Sequence, residues 1–173
     1  MNAFAPLPAL ACLDTLKGSL PTLVVDTREQ DPLEFTRLDF IPGTLTSGDY
    51  SVAGLEELFA VERKTVSDLV SCCAGTNRDR FMRELHRLRG YRFARLLVVG
   101  EPDEISEGRY HSRIKPQSVW ATLFAFEARY NLPVIFQPTP EIAAAWVENL
   151  AYWFARETVL NANGLARISK EKF

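Results

Sequence analysis

The stretch at residues 48–69, GDYSVAGLEELFAVERKTVSDL, decides the fold because it joins two strand-forming runs to a dense group of charges. Residues 44–54 (TLTSGDYSVAG) and 56–64 (EELFAVERK) each favour an extended backbone, and Gly54 and Leu55 form the turn between them. The stretch therefore predicts a pair of antiparallel strands. Its charged ends raise the question of whether the acids there are solvated surface residues or ligands of a metal ion.

Outward from this hairpin, strand and helix patterns alternate along the chain. A compact apolar run at residues 22–25 predicts a buried strand that ends at Asp26, and FARLLVVG at 93–100 predicts another. Pro116 and the pair Thr139–Pro140 mark helix starts, since proline is favoured in the first helical turn. The alternation predicts an α/β sandwich on a mixed β-sheet flanked by helices. The other expected elements are a loop with a short extended piece at 30–44, helices at 66–73, 78–89, 116–130 and 140–157, a polar loop at 101–115 and a strand at 132–136.

Length and composition are those of one globular domain, with 173 residues that are 47% hydrophobic and 24% charged. We expect this domain at residues 20–158, between an N-terminal tail at 1–19 and a polar C-terminal tail at 159–173. The chain has no run of about 20 apolar residues, no pattern of a secretion signal, and three cysteines that form no disulfide framework. These features predict a cytoplasmic protein that is neither secreted nor inserted in a membrane.

Three acids and a lysine are the candidate catalytic residues. Alternation along a strand directs Glu62 and Lys64 to one face and Arg63 to the other, and the hairpin can bring Asp49 beside Glu62. Asp26, at the end of its own strand, could join them at the sheet edge. Converging carboxylates repel one another unless a cation lies between them, and oxygen ligands without histidine or cysteine favour Mg²⁺ or Mn²⁺. With Lys64 placed to orient or deprotonate a water, the set predicts metal-assisted hydrolysis of a phosphodiester.

Each of these signals also has a simpler explanation. A single acid at a strand end, such as Asp26, is usually solvated. Thr65 and Asp68 have the spacing of a capping box for the following helix. Arg28 and Glu29 could form a surface ion pair of about 0–1 kcal/mol. The joint order of the signals in one chain is what favours a site.

That order resembles the nuclease domain of the XPF/Mus81 family, the ERCC4-type domain. The resemblance rests on VVDTRE at 24–29, GDY at 48–50 and VERKTVSDL at 61–69, and it extends over about residues 22–155. It implies a restriction-endonuclease-like fold, a variant of the PD-(D/E)xK core. The family signature G-D…E-R-K-x-x-x-D is complete here, at Gly48, Asp49, Glu62, Arg63, Lys64 and Asp68.

The resemblance implies a Mg²⁺-dependent endonuclease of DNA repair or recombination, acting on branched, flapped or forked DNA. Asp49 and Glu62 would bind the metal, with Asp26 as a third candidate ligand, and Lys64 would serve the attacking water. The full catalytic set that the resemblance implies is Asp26, Asp49, Glu62, Arg63, Lys64 and Asp68, with Arg28 and Glu29 in the supporting shell.

The short chain departs from the common family architecture. Family members commonly carry a helicase before the nuclease and tandem helix-hairpin-helix motifs after it, and neither fits in 173 residues. The chain therefore resembles stand-alone bacterial or phage members, and a separate helicase or recombination partner is expected. Two alternatives stay open, namely a non-catalytic DNA-binding or scaffolding subunit and a sequence-specific nuclease of restriction type.

A basic helix is the candidate DNA-binding surface. The net charge is −2, yet seven arginines and only two acids lie between residues 78 and 95. On a helical wheel Arg80, Arg83 and Arg87 fall within about 60°, which indicates either a solvated face or a stripe that contacts DNA phosphates. A different face of the same helix is suited to the core, with Phe81, Leu85 and Leu88.

The last predicted helix is apolar over a wide arc. Its large side chains span about 140°, whereas a core-facing helix needs roughly 100°. The excess predicts a surface for a second copy, and the resemblance to a family of dimers indicates a homodimer.

Overall fold

The computed structural model describes residues 4–10 and 18–171, with side chains as far as residue 167. Within these residues, six strands form one sheet in the order β2-β1-β3-β4-β5-β6. The strands are β1 (Leu23–Asp26), β2 (Phe40–Gly43), β3 (Tyr50–Val52), β4 (Phe59–Thr65), β5 (Phe93–Val99) and β6 (Val134–Gln137). The helices are α1 (Val66–Ser71), α2 (Gly75–Leu88), α3 (Pro102–Ser106), α4 (Pro116–Tyr130) and α5 (Pro140–Glu171).

The sheet is mixed, as the sequence predicts. β3 pairs antiparallel with both β1 and β4, whereas β2 runs parallel to β1, and β4, β5 and β6 run parallel to one another. The turn between β3 and β4 contains Gly54, whose φ of +79° suits a residue without a side chain. The antiparallel pair joins the two parallel halves, so β3 and β4 lie at the centre of the sheet.

Helices cover both faces of the sheet. Strand alternation sends Ala60 of β4 and Leu96 of β5 towards α1, α2 and α4, where they pack with Leu69, Phe81 and Leu123. Val61 and Leu97 point to the other face and pack against α5. Phe81, Leu85 and Leu88 of α2 are buried as the helical wheel predicts.

Two local predictions were wrong. The expected polar loop at 101–115 contains α3, which begins with a capping box formed by Glu101 and Glu104. The final helix, expected to end at about residue 157, continues to Glu171. No proline interrupts this stretch, and its first turns pack against the N-terminal residues, where Val159 is buried and Asn163 donates a hydrogen bond to the Ala9 carbonyl (2.9 Å).

The N-terminal tail is only partly described. Phe4 stacks on Tyr152 of α5, with 4.5 Å between ring centroids, and Leu7 is buried in the same cluster. Residues 1–3 and 11–17 lie outside the described residues, and the proposed domain boundaries stay predictions. No helix in the described part of the chain is long and apolar enough to cross a membrane.

Candidate active site

The antiparallel pairing of β3 and β4 brings Asp49 beside Glu62. Tyr50 pairs with Val61, so the residues before and after them lie opposite each other. The Asp49 amide donates to the Val61 carbonyl (2.9 Å), and the Arg63 amide donates to Asp49 Oδ2 (2.7 Å). The adjacency expected from the hairpin is present.

Gly48 is required by the backbone that delivers Asp49. Its φ is +83°, and a Cβ there would lie 3.2 Å from both the Ala60 Cβ and the Val61 carbonyl oxygen. Only glycine adopts this conformation without strain and tolerates this approach. The Gly-Asp pair of the signature is therefore a structural unit as well as a chemical one.

Glu62 and Lys64 point to the same face and form an ion pair. Glu62 is 2% exposed, and its pKa is raised well above the usual value by burial and by the negative charge of Asp49. Burial also raises the pKa of the half-buried Asp49, to about 6. Burial acts to lower the pKa of Lys64, but the Glu62 carboxylate outweighs this effect and raises it. Two neighbouring carboxylates that are costly to ionise form a site that a cation would stabilise.

Asp26, the third expected ligand, has a different environment. Its Oδ1 accepts from the Arg28 amide (2.8 Å) and Nε (2.7 Å), and its Oδ2 accepts from Arg28 Nη2 and the Leu45 amide (both 2.8 Å). Hydrogen bonds from Arg28 lower the pKa of Asp26 to about 2 despite its burial. These four bonds use the acceptor positions of a carboxylate. Among the described residues no three acids, histidines or cysteines lie close enough to share a metal ion.

The side chain of Arg63 lies apart from Lys64, as strand alternation requires, and joins β4 to the loop after β1. It contacts Asp31 at 2.8 Å and Glu29 at 3.6 Å. The surface ion pair considered between Arg28 and Glu29 is not formed, because Arg28 pairs with Asp26 and Glu29 with Arg63. Arg63 Nε is buried without a hydrogen-bond partner among the described residues.

Asp68 takes part in capping α1. Its amide donates to Thr65 Oγ1 (3.1 Å), and the Thr65 hydroxyl donates to Asp68 Oδ2 (2.8 Å). The Thr65 cap is therefore formed, but the Asp68 carboxylate accepts from the Thr65 hydroxyl and not from the backbone amide of a capping box. Asp68 also lines a cavity with Asp49 and Lys64, so capping does not remove it from the site.

Two adjoining cavities meet at the acids. One, of about 560 Å³, is lined by Asp49, Lys64, Asp68 and Arg80. The other, of about 430 Å³, is lined by Asp26, Glu62 and the arginine stripe of α2, comprising Arg80, Arg83 and Arg87. The stripe therefore lies beside the acids, as its position in the chain suggests.

Two residues that the sequence reasoning passed over line these cavities. Glu84 borders both of them, and its signal was its position four residues after Arg80, which puts it on the same helix face. Ser47 is 4% exposed and accepts a hydrogen bond from Arg87 Nε (2.9 Å). Nothing in the sequence marks Ser47, because its partner lies 40 residues away.

A family model, the ERCC4 domain, matches residues 25–150, which include all of these site residues. The chain belongs to the ERCC4 domain family. Among solved structures, XPF from Aeropyrum pernix matches this ERCC4 domain with a TM-score of 0.64 and 28% identity. XPF from Aeropyrum pernix in complex with DNA matches with a TM-score of 0.62 and 26% identity. No curated protein sequence matches the chain.

Both structural matches cover 79% of this chain and 66% of the XPF chain. The ERCC4 domain here therefore spans just under two thirds of the length of that relative. The matches and the six-strand sheet confirm the predicted restriction-endonuclease-like fold. The site described above lies in the central hairpin of this ERCC4 domain, at the end of β1 and on the helix α2.

Proposed function

We propose that this ERCC4 domain is a Mg²⁺-dependent DNA endonuclease that hydrolyses phosphodiester bonds in branched, flapped or forked DNA. The observation that carries the proposal is the pair of acids Asp49 and Glu62, both with raised pKa values, beside Lys64 and two cavities lined by arginines. Lys64 offsets part of this unfavourable charge at Glu62, and a divalent cation bound by both carboxylates would stabilise the pair further.

The residues present fit a divalent metal of the magnesium type. Asp49 and Glu62 offer carboxylate oxygens, the ligands that Mg²⁺ and Mn²⁺ prefer. We assign Asp49 and Glu62 as the metal ligands. Asp26 is assigned a structural role beside them, because its oxygens already accept four hydrogen bonds. The bound ion would stabilise the negative charge that develops on the phosphate.

The remaining roles fall to the chain's own residues. Lys64 would orient the attacking water as a protonated ammonium group, since it lies beside Glu62 and its pKa is raised. Arg80 and Arg83 would hold DNA phosphates, because guanidinium groups match phosphate oxygens and both line the cavity that contains Glu62. Arg63, with Glu29, would hold the strand that carries Glu62 and Lys64. The similarity to an XPF structure solved in complex with DNA supports DNA as the partner.

One experiment tests the proposal directly. Labelled linear duplex, flap, fork and four-way-junction DNA are incubated with the protein in Mg²⁺, in Mn²⁺ and in EDTA. We expect cleavage near the branch point with either metal and none in EDTA. Binding without cleavage under all conditions would favour a scaffolding subunit, and cutting of linear duplex at one sequence would favour a restriction-type nuclease. Cleavage that persists in EDTA would contradict the metal site.

The proposal includes a second copy of the chain at the surface of α5. Val147, Ala151 and Ala155 are buried in the core, whereas Trp153 and Ile142 are 52% and 47% exposed. Large apolar side chains exposed along one helix favour a protein contact. We expect light scattering to give twice the 19.5 kDa monomer mass, and a monomer at micromolar concentration would contradict the homodimer. A cytoplasmic location and recruitment by a separate helicase belong to the same proposal.

A further inference from the structure

The loop at residues 44–48 leads directly into Asp49, and β1 holds its first half. The Leu45 amide donates to Asp26 Oδ2 (2.8 Å), and the Leu45 carbonyl accepts from Arg28 Nη2 (2.6 Å). Because Asp26 and Arg28 also bind each other through both carboxylate oxygens, they form a rigid support for this part of the loop.

Arg87 holds the second half of the loop from α2. Its Nε donates to the hydroxyl of Ser47, which is 4% exposed and two residues before Asp49. Arg80 and Arg83 make no hydrogen bond or ion pair with any part of the chain that the structure describes. The three members of the arginine stripe are therefore not equivalent, although they share one helix face.

We infer that Arg87 is a positioning residue that connects bound DNA to the placement of Asp49, an inference that rests on the proposed function. Its Nε is used by Ser47, while its two terminal nitrogens have no partner among the described residues. A phosphate held by those nitrogens immobilises the guanidinium. Because the guanidinium is hydrogen-bonded to Ser47, the 44–48 loop becomes less mobile as well. DNA in the cavity thereby steadies the loop that delivers Asp49.

The inference predicts that substituting Arg87 lowers the rate of the cleavage step, whereas substituting Arg83 weakens DNA binding. Displacement of a reacting group by about 1 Å can lower a rate by about 10²-fold, so a loosened 44–48 loop affects the cleavage step. Loss of a phosphate contact instead weakens binding and lowers the salt slope by up to about 0.9 per contact. Arg83→Gln is the matched control, since it is the same substitution one turn earlier on α2.

The test uses two sets of variants. The first is Arg87→Gln, Ser47→Ala and the double variant that combines them. The control set is Arg83→Gln and the double variant that combines Arg83→Gln with Ser47→Ala. Cleavage rates are measured in single turnover at saturating flap DNA with Mg²⁺, and affinity by fluorescence anisotropy in Ca²⁺ across a salt series. We expect Arg87→Gln and Ser47→Ala each to lower the saturated rate about tenfold, with no further loss in the double variant. The effects of Arg83→Gln and Ser47→Ala should add.

A second readout needs neither DNA nor metal. Amide hydrogen exchange at residues 45–49 should be faster in Arg87→Gln and in Ser47→Ala, and unchanged in Arg83→Gln. Additive losses in the Arg87/Ser47 pair, or unchanged exchange at these amides, would overturn the inference and leave Arg87 as a simple phosphate contact. If the wild-type protein cleaves no substrate, the proposed function fails, and the exchange experiment still decides whether Arg87 holds the loop.

Discussion

Asp49→Asn is expected to lower the rate of DNA cleavage by about 10³-fold while the protein stays folded. Removing one group that stabilises charge in a transition state costs about this much in other enzymes, and Asp49 is one of the two proposed metal ligands. The fold should persist because the Asn side-chain oxygen can still accept the hydrogen bond from the Arg63 amide. Affinity for Mn²⁺, measured by calorimetry, should fall together with the rate.

The same variant should be more stable than the wild type in the absence of metal. Burial raises the pKa of Asp49 from 3.8 to about 6, so ionising it destabilises the folded state at pH values above about 6. As the pH falls from 6 towards 3.8 this penalty disappears, because the carboxyl becomes protonated in both states. At pH 7 the gain in unfolding free energy is at most about 3 kcal/mol.

Urea denaturation with and without Mg²⁺ checks this expectation. Mg²⁺ should stabilise the wild type, since it binds the folded site, and should therefore reduce the difference in unfolding free energy between Asp49→Asn and the wild type. Asp39→Asn is the control, because Asp39 is exposed and lines neither cavity. Cleavage within threefold of wild type, or an Asp49→Asn protein that is less stable in EDTA at pH 7, would contradict Asp49 as a strained metal ligand.

Glu148→Ala is expected to cause a large loss of stability. Glu148 is 1% exposed on α5 and accepts backbone hydrogen bonds from Thr36 (3.0 Å), Arg37 (2.6 Å) and Leu38 (3.0 Å). It also pairs with Arg37 Nε at 2.8 Å. Removing it leaves three amides and the Nε of the partly buried Arg37 without their acceptor. Breaking a buried pair in this way costs about 3–5 kcal/mol in unfolding free energy.

Urea denaturation of Glu148→Ala and Glu157→Ala measures this effect. Glu157 lies on the same helix but is exposed, and among the described residues its one ion pair is with Arg156 at 3.4 Å, so its removal should cost less than about 1 kcal/mol. Although burial opposes it, Arg37 and the backbone amides lower the pKa of Glu148. The stability that Glu148 contributes is therefore present at pH values above 4.5, the pKa of the group in the unfolded chain. It is lost as the pH falls through the pKa of Glu148 in the folded protein. A loss below 1 kcal/mol at pH 7 would contradict this role.

The local parts of the site could be predicted because their causes are close together in the chain. Strand alternation was enough to put Glu62 and Lys64 on one face, and the short connection to β3 brought Asp49 opposite. The capping of α1 by Thr65 joins two residues that lie only three positions apart in the chain. In each case the relevant partners lie within one hairpin or one helical turn.

The basic surface could not be predicted from charge alone. Three of the seven arginines counted in the sequence pack on aromatic rings. Arg78 lies over Phe126 (5.2 Å), Arg92 over Phe154 (5.7 Å), and Arg95 over Phe93 (3.9 Å). Long cationic side chains commonly cover apolar surface, and only the packing of neighbouring elements determines which of them do so.

By itself the sequence determined the hairpin, the mixed α/β architecture and the Asp49–Glu62–Lys64 group, because periodicity and turn residues act over a few positions. Only the tertiary structure decided that Asp26 supports the 44–48 loop and that Arg87 reaches Ser47. These contacts join residues 19 and 40 positions apart, and the Glu148 contacts span more than 100. A hydrogen bond depends on where both partners lie in space, and at such separations only the packed sheet and helices set those positions.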